Sequence, residues 1–448
     1  MAKDKSNFYL ICLLVVFIAA SGWYLHGHPQ GLTAGSGPTG PAPCRVEGLH
    51  VAAPVPTSVS NPTQPQNQYP ILTWKLLPEA VAYELELYAD KPAATAKPFF
   101  TTKRIYIHGY IPELPAAYSG SSFWWRVRAL DYYSQPLSDF SAPQQVFVQR
   151  QEAALLRPVP MTKFNSGNGT VLLYPVYLWL PIPGTNKYEV EILDAPPENP
   201  DGSAPSVHRL DAFTDTGFDA YDPKPRFSSK PLYWRVRGVT EDGKPVGVYS
   251  VAQQFVTDPA ANYSVATLGD SICHGGGSFS YAPSEWEFSF QHYLHFPVLN
   301  LGRSGDTAAM TLDRFDADVL PFHPHYLLIL TGSNSLRSVS HSAEAVIEQF
   351  KALEHKCDEH GIVPIFITLP PINPANIKKA FDEDTDKMWQ IKFAKVNDYL
   401  RTRRHIDAAA RFKNPNSTLP TAMALDGLHV DVPGKKLIAA AVNDEFKP

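Results

Sequence analysis

Tyr263-Ser264-Val265-Ala266-Thr267-Leu268-Gly269-Asp270-Ser271 is a short apolar run that closes on a glycine, an acid and a hydroxyl. A run of this length, apolar on both faces, predicts a buried strand over Ser264 to Leu268. Similar runs follow at Phe296 to Leu301, Tyr326 to Leu330 and Ile365 to Leu369. Between the last two, Ala343, Val346, Ile347, Phe350, Leu353 and Cys357 recur at spacings of three and four. That spacing predicts a helix from about Ser342, its N-cap, to His360. Trp389, Phe393, Val396 and Leu400 predict a second helix from about Asp384 to Thr402. Strands alternating with helices over residues 263–448 predict an α/β sheet covered on both faces, with its site at the carboxyl ends of the strands.

The residues that follow those strands carry chemistry. Ser271 comes after the first, Asn300-Leu301-Gly302-Arg303-Ser304-Gly305-Asp306-Thr307 spans the end of the second, and Gly332-Ser333-Asn334 follows the third. Asp426-Gly427-Leu428-His429 lies near the C-terminus. A serine hydroxyl is a poor nucleophile until a base takes its proton, and histidine suits that task because imidazole titrates near neutrality. Attack on an ester builds an oxyanion that needs preorganised donors. The N–H groups of Ser271 and Gly305 and the Asn334 amide are candidates. In D-x-x-H the two side chains share one turn, so Asp426 either orients His429 or caps the local backbone. No G-x-S-x-G surrounds Ser271, and the chain order differs from that of trypsin-type proteases.

These four blocks resemble the SGNH (GDSL-type) hydrolase family. The resemblance implies a three-layer α/β (flavodoxin-like) domain over 263–448. It also implies ester hydrolysis through an acyl-serine, without metal or organic cofactor. Carried over block by block, Ser271 is the nucleophile and first oxyanion donor, Gly305 and Asn334 are the other donors, and Asp426 and His429 are the acid and base. Ser335 departs from the aspartate that many members carry after the asparagine, which puts the usual support of that loop in question. Around the site, His274-Gly275-Gly276-Gly277 reads as a flexible rim, with His274 either solvated or touching substrate. Arg303 reads as a rim residue that meets an anionic or sugar group or forms a surface ion pair, and Asp306 as a helix cap. His323-Pro324-His325 has metal-like spacing but no visible third ligand.

The rest of the chain sets the context. Among 448 residues, 44% are apolar and 19% charged, and the net charge is -5, a globular balance with no basic footprint for nucleic acid. Proline is over-represented at 42 residues, which implies many edges and turns. Lys3 and Lys5 precede an apolar stretch from Phe8 to Leu25. That pattern predicts a signal anchor over 1–26, with a cleaved signal as the alternative and the remainder exported in either case. Pro29 to Pro70 holds nine prolines in 42 residues, so residues 27–66 read as an extended linker.

A repeat follows. Trp74, Tyr83-Glu84-Leu85-Glu86-Leu87 and Trp124-Trp125-Arg126-Val127-Arg128 recur as Trp179, Tyr188-Glu189-Val190-Glu191-Ile192 and Tyr233-Trp234-Arg235-Val236-Arg237. Alternation of apolar and charged residues predicts strands with one wet face. The pair resembles tandem fibronectin type III-like all-β sandwiches, at 67–150 and 157–258, with Trp74, Trp125, Trp179 and Trp234 as core rather than sugar platforms. The cysteines Cys12, Cys44, Cys273 and Cys357 show no zinc spacing; they read as mostly free or buried, with a partner for Cys44 left open. Asn168, Asn262 and Asn416 head glycosylation sequons. The expected activity is hydrolysis of short acyl esters, O-acetyl groups on carbohydrate first. The rivals are a lysophospholipase or thioesterase, a polysaccharide O-acetyltransferase, and an adhesion protein with an inactive hydrolase domain.

Overall fold

The computed structural model describes residues 43–163, 171–277, 279, 281–412 and 417–448. The expected anchor at 1–26, Cys12, and the sequon asparagines Asn168 and Asn416 lie outside these residues. Among the described residues no helix is long and apolar enough to cross a membrane.

Residues from Tyr263 onward form an α/β unit around one parallel sheet. Its strands are Val265–Gly269, Leu299–Gly302, Tyr326–Leu330, Val363–Ile367 and His405–Ile406. Taken in chain order as one to five, they lie side by side as 2-1-3-4-5, all parallel. In such an order the ligand crevice opens between strands one and three, where the winding reverses. The Val363–Ile367 strand begins two residues before the expected run and includes Pro364. Phe366 N donates to Arg404 O at 2.9 Å, so even-numbered residues face the edge strand. Pro364, lacking an N–H, therefore faces that side before His405 begins, where no donor is needed. The helix Ala343–Glu359 is capped by Ser342, whose hydroxyl accepts from Ala345 N at 3.1 Å. The helix expected from Asp384 begins only at Trp389, because Asp386 turns the chain just before it, accepting from Met388 N at 2.9 Å. A further helix, Pro374–Phe381, capped by Asn373 with proline at its first position, was not expected.

The preceding region is sheet-rich. Residues 82–88, 100–105, 123–130 and 144–146 make a four-stranded antiparallel sheet, with Leu72–Thr73 and Gly109–Tyr110 paired beside it. The second unit has a five-stranded sheet built on Lys187–Leu193 and Leu232–Val239, and a three-stranded one centred on Val176–Leu180. The repeat extends to individual bonds. Leu77 N donates to the Tyr83 hydroxyl at 3.1 Å, and Ile182 N to the Tyr188 hydroxyl at 3.0 Å. Glu84 and Glu86 lie opposite Arg128 and Arg126, as Glu189 and Glu191 lie opposite Arg237 and Arg235. All four repeat tryptophans are buried core. The charged face of the second copy is not wet, contrary to the alternation argument. Arg235 and Glu191 are both 0% exposed, paired at 2.6 Å, with the Asn199 side-chain oxygen 2.8 Å from the guanidinium. Buried charges of this kind persist only when paired and hydrogen-bonded.

Two boundaries differ from the sequence reading. From Pro43 onward the proline-rich stretch is packed rather than a spacer. Val51 N donates to Leu137 O, Gln66 N to Phe147 O, and Cys44 is 1% exposed against the α/β unit. Proline suits such an edge, where alternate N–H groups have no neighbour. The second correction concerns Val171–Leu172, assigned above to the second sandwich. This segment pairs in parallel with Leu299 and Asn300 as a sixth strand of the α/β sheet. Cys44, Cys273 and Cys357 are all buried and without disulfides.

Candidate active site

Strand one ends at Gly269, and the chain turns directly into the helical turn Ser271–His274. Asp270 caps that turn: Oδ1 accepts from Ile272 N at 3.0 Å, and Oδ2 from Gly332 N at 3.2 Å. One carboxyl thus ties the end of strand one to the end of strand three. Its burial pushes the Asp270 pKa up to about 6, against the two N–H donors that favour the carboxylate. Asn300 holds the other end of the turn, donating to Cys273 O at 3.2 Å and His274 O at 3.0 Å while accepting from Gly302 N at 2.8 Å.

Ser271, Asp426 and His429 meet across 158 residues of chain. Ser271 Oγ lies 3.0 Å from His429 Nε2, and His429 Nδ1 lies 2.8 Å from Asp426 Oδ2. The two options open for Asp426 coexist, because its other oxygen accepts from the N–H groups of Leu428 and His429, both at 2.8 Å. These bonds hold a turn rather than a helix. Gly427 takes φ +80° there, and a Cβ would meet Asn373 O at 2.4 Å. Phe381 stands perpendicular to the His429 ring at 6.2 Å.

The candidate donors sit at neighbouring strand ends. Gly305, at φ +89°, follows strand two. Asn334 lies in the helical turn Ser333–Leu336, after Gly332 at φ +115°. Its amide nitrogen donates to Asp306 O at 3.0 Å, and its carbonyl accepts from Arg337 Nε at 3.2 Å, which fixes the amide the right way round. Arg337 is anchored in turn on Glu383. The Ser335 departure has a structural answer, since Ser335 Oγ accepts from Ala308 N at 3.1 Å and so braces the loop that carries Gly305.

Two expectations about the surroundings are corrected. His274 is neither rim nor solvated: it is 2% exposed, its ring held between Tyr174 O at 2.8 Å and Ser304 Oγ at 2.9 Å. Burial pushes its pKa down to about 4, so the ring is neutral near pH 7. Asp306 is not a cap, a place taken by Thr307. It is buried against Arg314, with Nε 2.6 Å from Oδ2. Arg303, left with two alternatives, takes the ion pair: it is partly exposed, lies over the Tyr174 ring at 5.3 Å and has Asp306 3.9 Å away. Among the described residues, no three His, Cys, Asp or Glu side chains gather as metal ligands.

Two buried cations escaped the sequence reading. Arg314 donates to Gly269 O at 3.0 Å, Leu301 O at 2.7 Å, Asp306 and Asp318, pinning the ends of strands one and two. Lys435 is 0% exposed and donates to Ile272 O at 3.2 Å, beneath the serine turn. An isolated arginine or lysine in a polar stretch carries no sequence signal of such burial. Burial lowers the Lys435 pKa from 10.5 to about 8. Between those values the unfolded chain binds more protons than the fold, so the Lys435 contribution to stability rises with pH from about 8 to 10.5. Relative to Lys435→Met, the wild type gains on the order of 3 kcal/mol across that window, measurable as diverging urea midpoints.

With this geometry in view, the comparisons with known proteins are specific for one part of the chain. Residues 267–437 match the GDSL-like lipase/acylhydrolase family. They form a domain of that family, which is one of carboxylic ester hydrolases, and the protein is an enzyme of this class. Similar solved structures include a lipase/acylhydrolase from Enterococcus faecalis, at 21% identity and TM-score 0.33, covering 41% of this chain and 97% of that one. A GDSL-like lipase from Bacteroides thetaiotaomicron is 18% identical with TM-score 0.32, covering 40% of this chain and 85% of that one. A catalytic variant of an acetylxylan esterase from Geobacillus stearothermophilus is 19% identical with TM-score 0.31, covering 41% and 95%. No curated protein matches.

Proposed function

We propose that this protein is an exported serine esterase that hydrolyses short acyl esters, O-acetyl groups on carbohydrate first, through an acyl-serine intermediate. The observation that carries the reading is the unbroken chain from Ser271 Oγ through His429 to buried Asp426, at 3.0 and 2.8 Å. Asp426 keeps the proton of His429 on Nδ1, which leaves the Nε2 lone pair facing the serine. As Oγ attacks the ester carbon, Nε2 takes its proton and then passes it to the leaving alkoxide. Water next attacks the acyl-serine, His429 again takes the proton, and the acid departs while Ser271 Oγ recovers its hydrogen.

The oxyanion is assigned to the N–H groups of Ser271 and Gly305 and to the Asn334 amide. The Asn334 amide is held in place by its bond to Asp306 O, and the reading assigns this amide to the oxyanion. Asn334→Ala is expected to lower kcat about 100- to 1,000-fold with little change in KM, read from initial rates.

The short-acyl assignment is supported by crowding, with Ser271 4% exposed and Phe381 set against His429. We assign the two sheet-rich units to fibronectin III-like domains on their repeated Trp, Tyr and Glu–Arg ladders. Export rests on the lysine-flanked apolar stretch Phe8 to Leu25. One observation favours a lipid ester instead. Val339, Met388 and Ile391 are 82%, 51% and 61% exposed, and Lys392 ties their two segments together by donating to Ser338 O and His341 O. Exposed aliphatic residues clustered beside Arg337 suit an acyl chain or lipid surface.

Initial rates on p-nitrophenyl acetate, butyrate and octanoate and on acetylated xylan, with Ser271→Ala as control, separate the two. Serine-dependent acetate release from the polymer supports the carbohydrate assignment. Preference for octanoate moves it to lipids, and no turnover of any ester by the wild type overturns the esterase reading.

A further inference from the structure

The family match begins at residue 267, yet the catalytic framework includes a segment about a hundred residues upstream. Val171–Leu172 extends the sheet beside strand two, and Leu173 N continues the ladder by donating to Asn300 O at 3.0 Å. Tyr174, the next residue, then makes two contacts toward the site. Its hydroxyl donates to Asp318 at 2.8 Å, the carboxylate that Arg314 shares, and its carbonyl faces His274 Nε2 at 2.8 Å.

The state of the His274 ring follows from its neighbours. Ser304 N–H donates to Nδ1 at 3.2 Å, so that nitrogen carries a lone pair and the hydrogen sits on Nε2. Nε2–H then donates to Tyr174 O. The ring is a rigid strut, with one end on Tyr174, just past the upstream strand Val171–Leu172, and the other on Ser304, the residue immediately before Gly305. The serine turn that carries the ring is packed on the end of strand two, since a Cβ on Gly302 would lie 2.3 Å from His274 N.

We propose that His274 is a positioning residue for the oxyanion side of the site, and that the upstream sixth strand completes the hydrolase by supplying its anchor at Tyr174. Resting on the serine-esterase reading above, the inference assigns His274 no contact with substrate. It sets the Ser304 backbone, and through it the direction of the Gly305 N–H, while the Tyr174 carbonyl fixes the ring itself. The oxyanion donor is therefore held from outside the family domain. A donor displaced by an ångström loses most of its value in the transition state while leaving ground-state binding largely alone.

The test uses His274→Asn and His274→Gln in the full chain. Asparagine places its carbonyl oxygen near the position of Nδ1 and keeps an acceptor for Ser304 N–H. Glutamine places its amide nitrogen near Nε2, keeps the donor to Tyr174 O, and loses the Ser304 acceptor. The Gln variant is expected to lose about 30-fold in kcat with KM within about 3-fold, and the Asn variant to retain at least about ten times the kcat of Gln. Equal kcat in the two variants, or a loss carried by KM, overturns the inference.

A second measurement needs no variant. In histidine-labelled wild type the ¹⁵N spectrum at pH 6 is expected to show His274 as the neutral Nε2–H tautomer, and a protonated ring or the Nδ1–H tautomer overturns the strut. Labelling of wild-type Ser271 by a fluorophosphonate keeps the two readings apart. Unlabelled wild type fails the esterase reading, whereas labelled wild type with an unaffected Gln variant fails this inference alone.

Discussion

Ser271→Ala is expected to lower kcat by at least about 10,000-fold while leaving the thermal midpoint within a few degrees of wild type. The side chain is small and its hydroxyl lies 3.0 Å from His429 Nε2, so its loss opens little space. Asp270 still caps the turn, Asn300 still holds its far end, and Asp426 still holds His429. What disappears is the nucleophile, and with it the covalent route. His429→Ala is expected to cost a similar factor, and the double variant little more, because the pair acts as one unit. Initial rates on p-nitrophenyl acetate at saturating ester check this. A Ser271→Ala protein with more than about a tenth of wild-type kcat contradicts the assignment.

Gly269→Ala carries the largest expected effect on stability. Gly269 is flanked by Gly302 on strand two and Leu330 on strand three. A Cβ there would lie 1.8 Å from Leu330 O and 3.0 Å from Cys273 Cβ. The first of these neighbours is backbone in the middle of a sheet, with no rotamer to change. Strands one and three would have to part, breaking the ladder and the Asp270 bridge to Gly332 together. A cost above about 4 kcal/mol is expected, enough to leave little folded α/β domain. Urea unfolding followed by tryptophan fluorescence and soluble yield both report it. A well-folded Gly269→Ala with a near-native midpoint contradicts the packing described.

The α/β architecture is readable because each of the first three strands is a short apolar run with a loop residue of defined chemistry just after it. Ser271, Gly305 and Asn334 follow strands one, two and three, and the strand order brings those ends to one crevice. The Pro374–Phe381 helix was missed although Asn373-Pro374 is a proper start signal, because the following residues carry too little apolar periodicity to stand out.

His274 was misread for a different reason. Three glycines follow it, which locally signals a loose loop, but what buries it is a strand end from a hundred residues upstream. Local pattern carries no information about such long-range cover. The same limit hid Arg314 and Lys435, whose burial depends on carbonyl groups presented by distant segments. Residues 43–66 read as a spacer because proline content alone does not distinguish a solvated chain from a packed edge.

Incubating the wild type with a fluorophosphonate and mapping the adduct by peptide mass spectrometry decides whether Ser271 is a nucleophile activated by His429. One stoichiometric adduct is expected, on Ser271, abolished in His429→Ala. An adduct on another residue, or an esterase-active protein that takes no label, would contradict it.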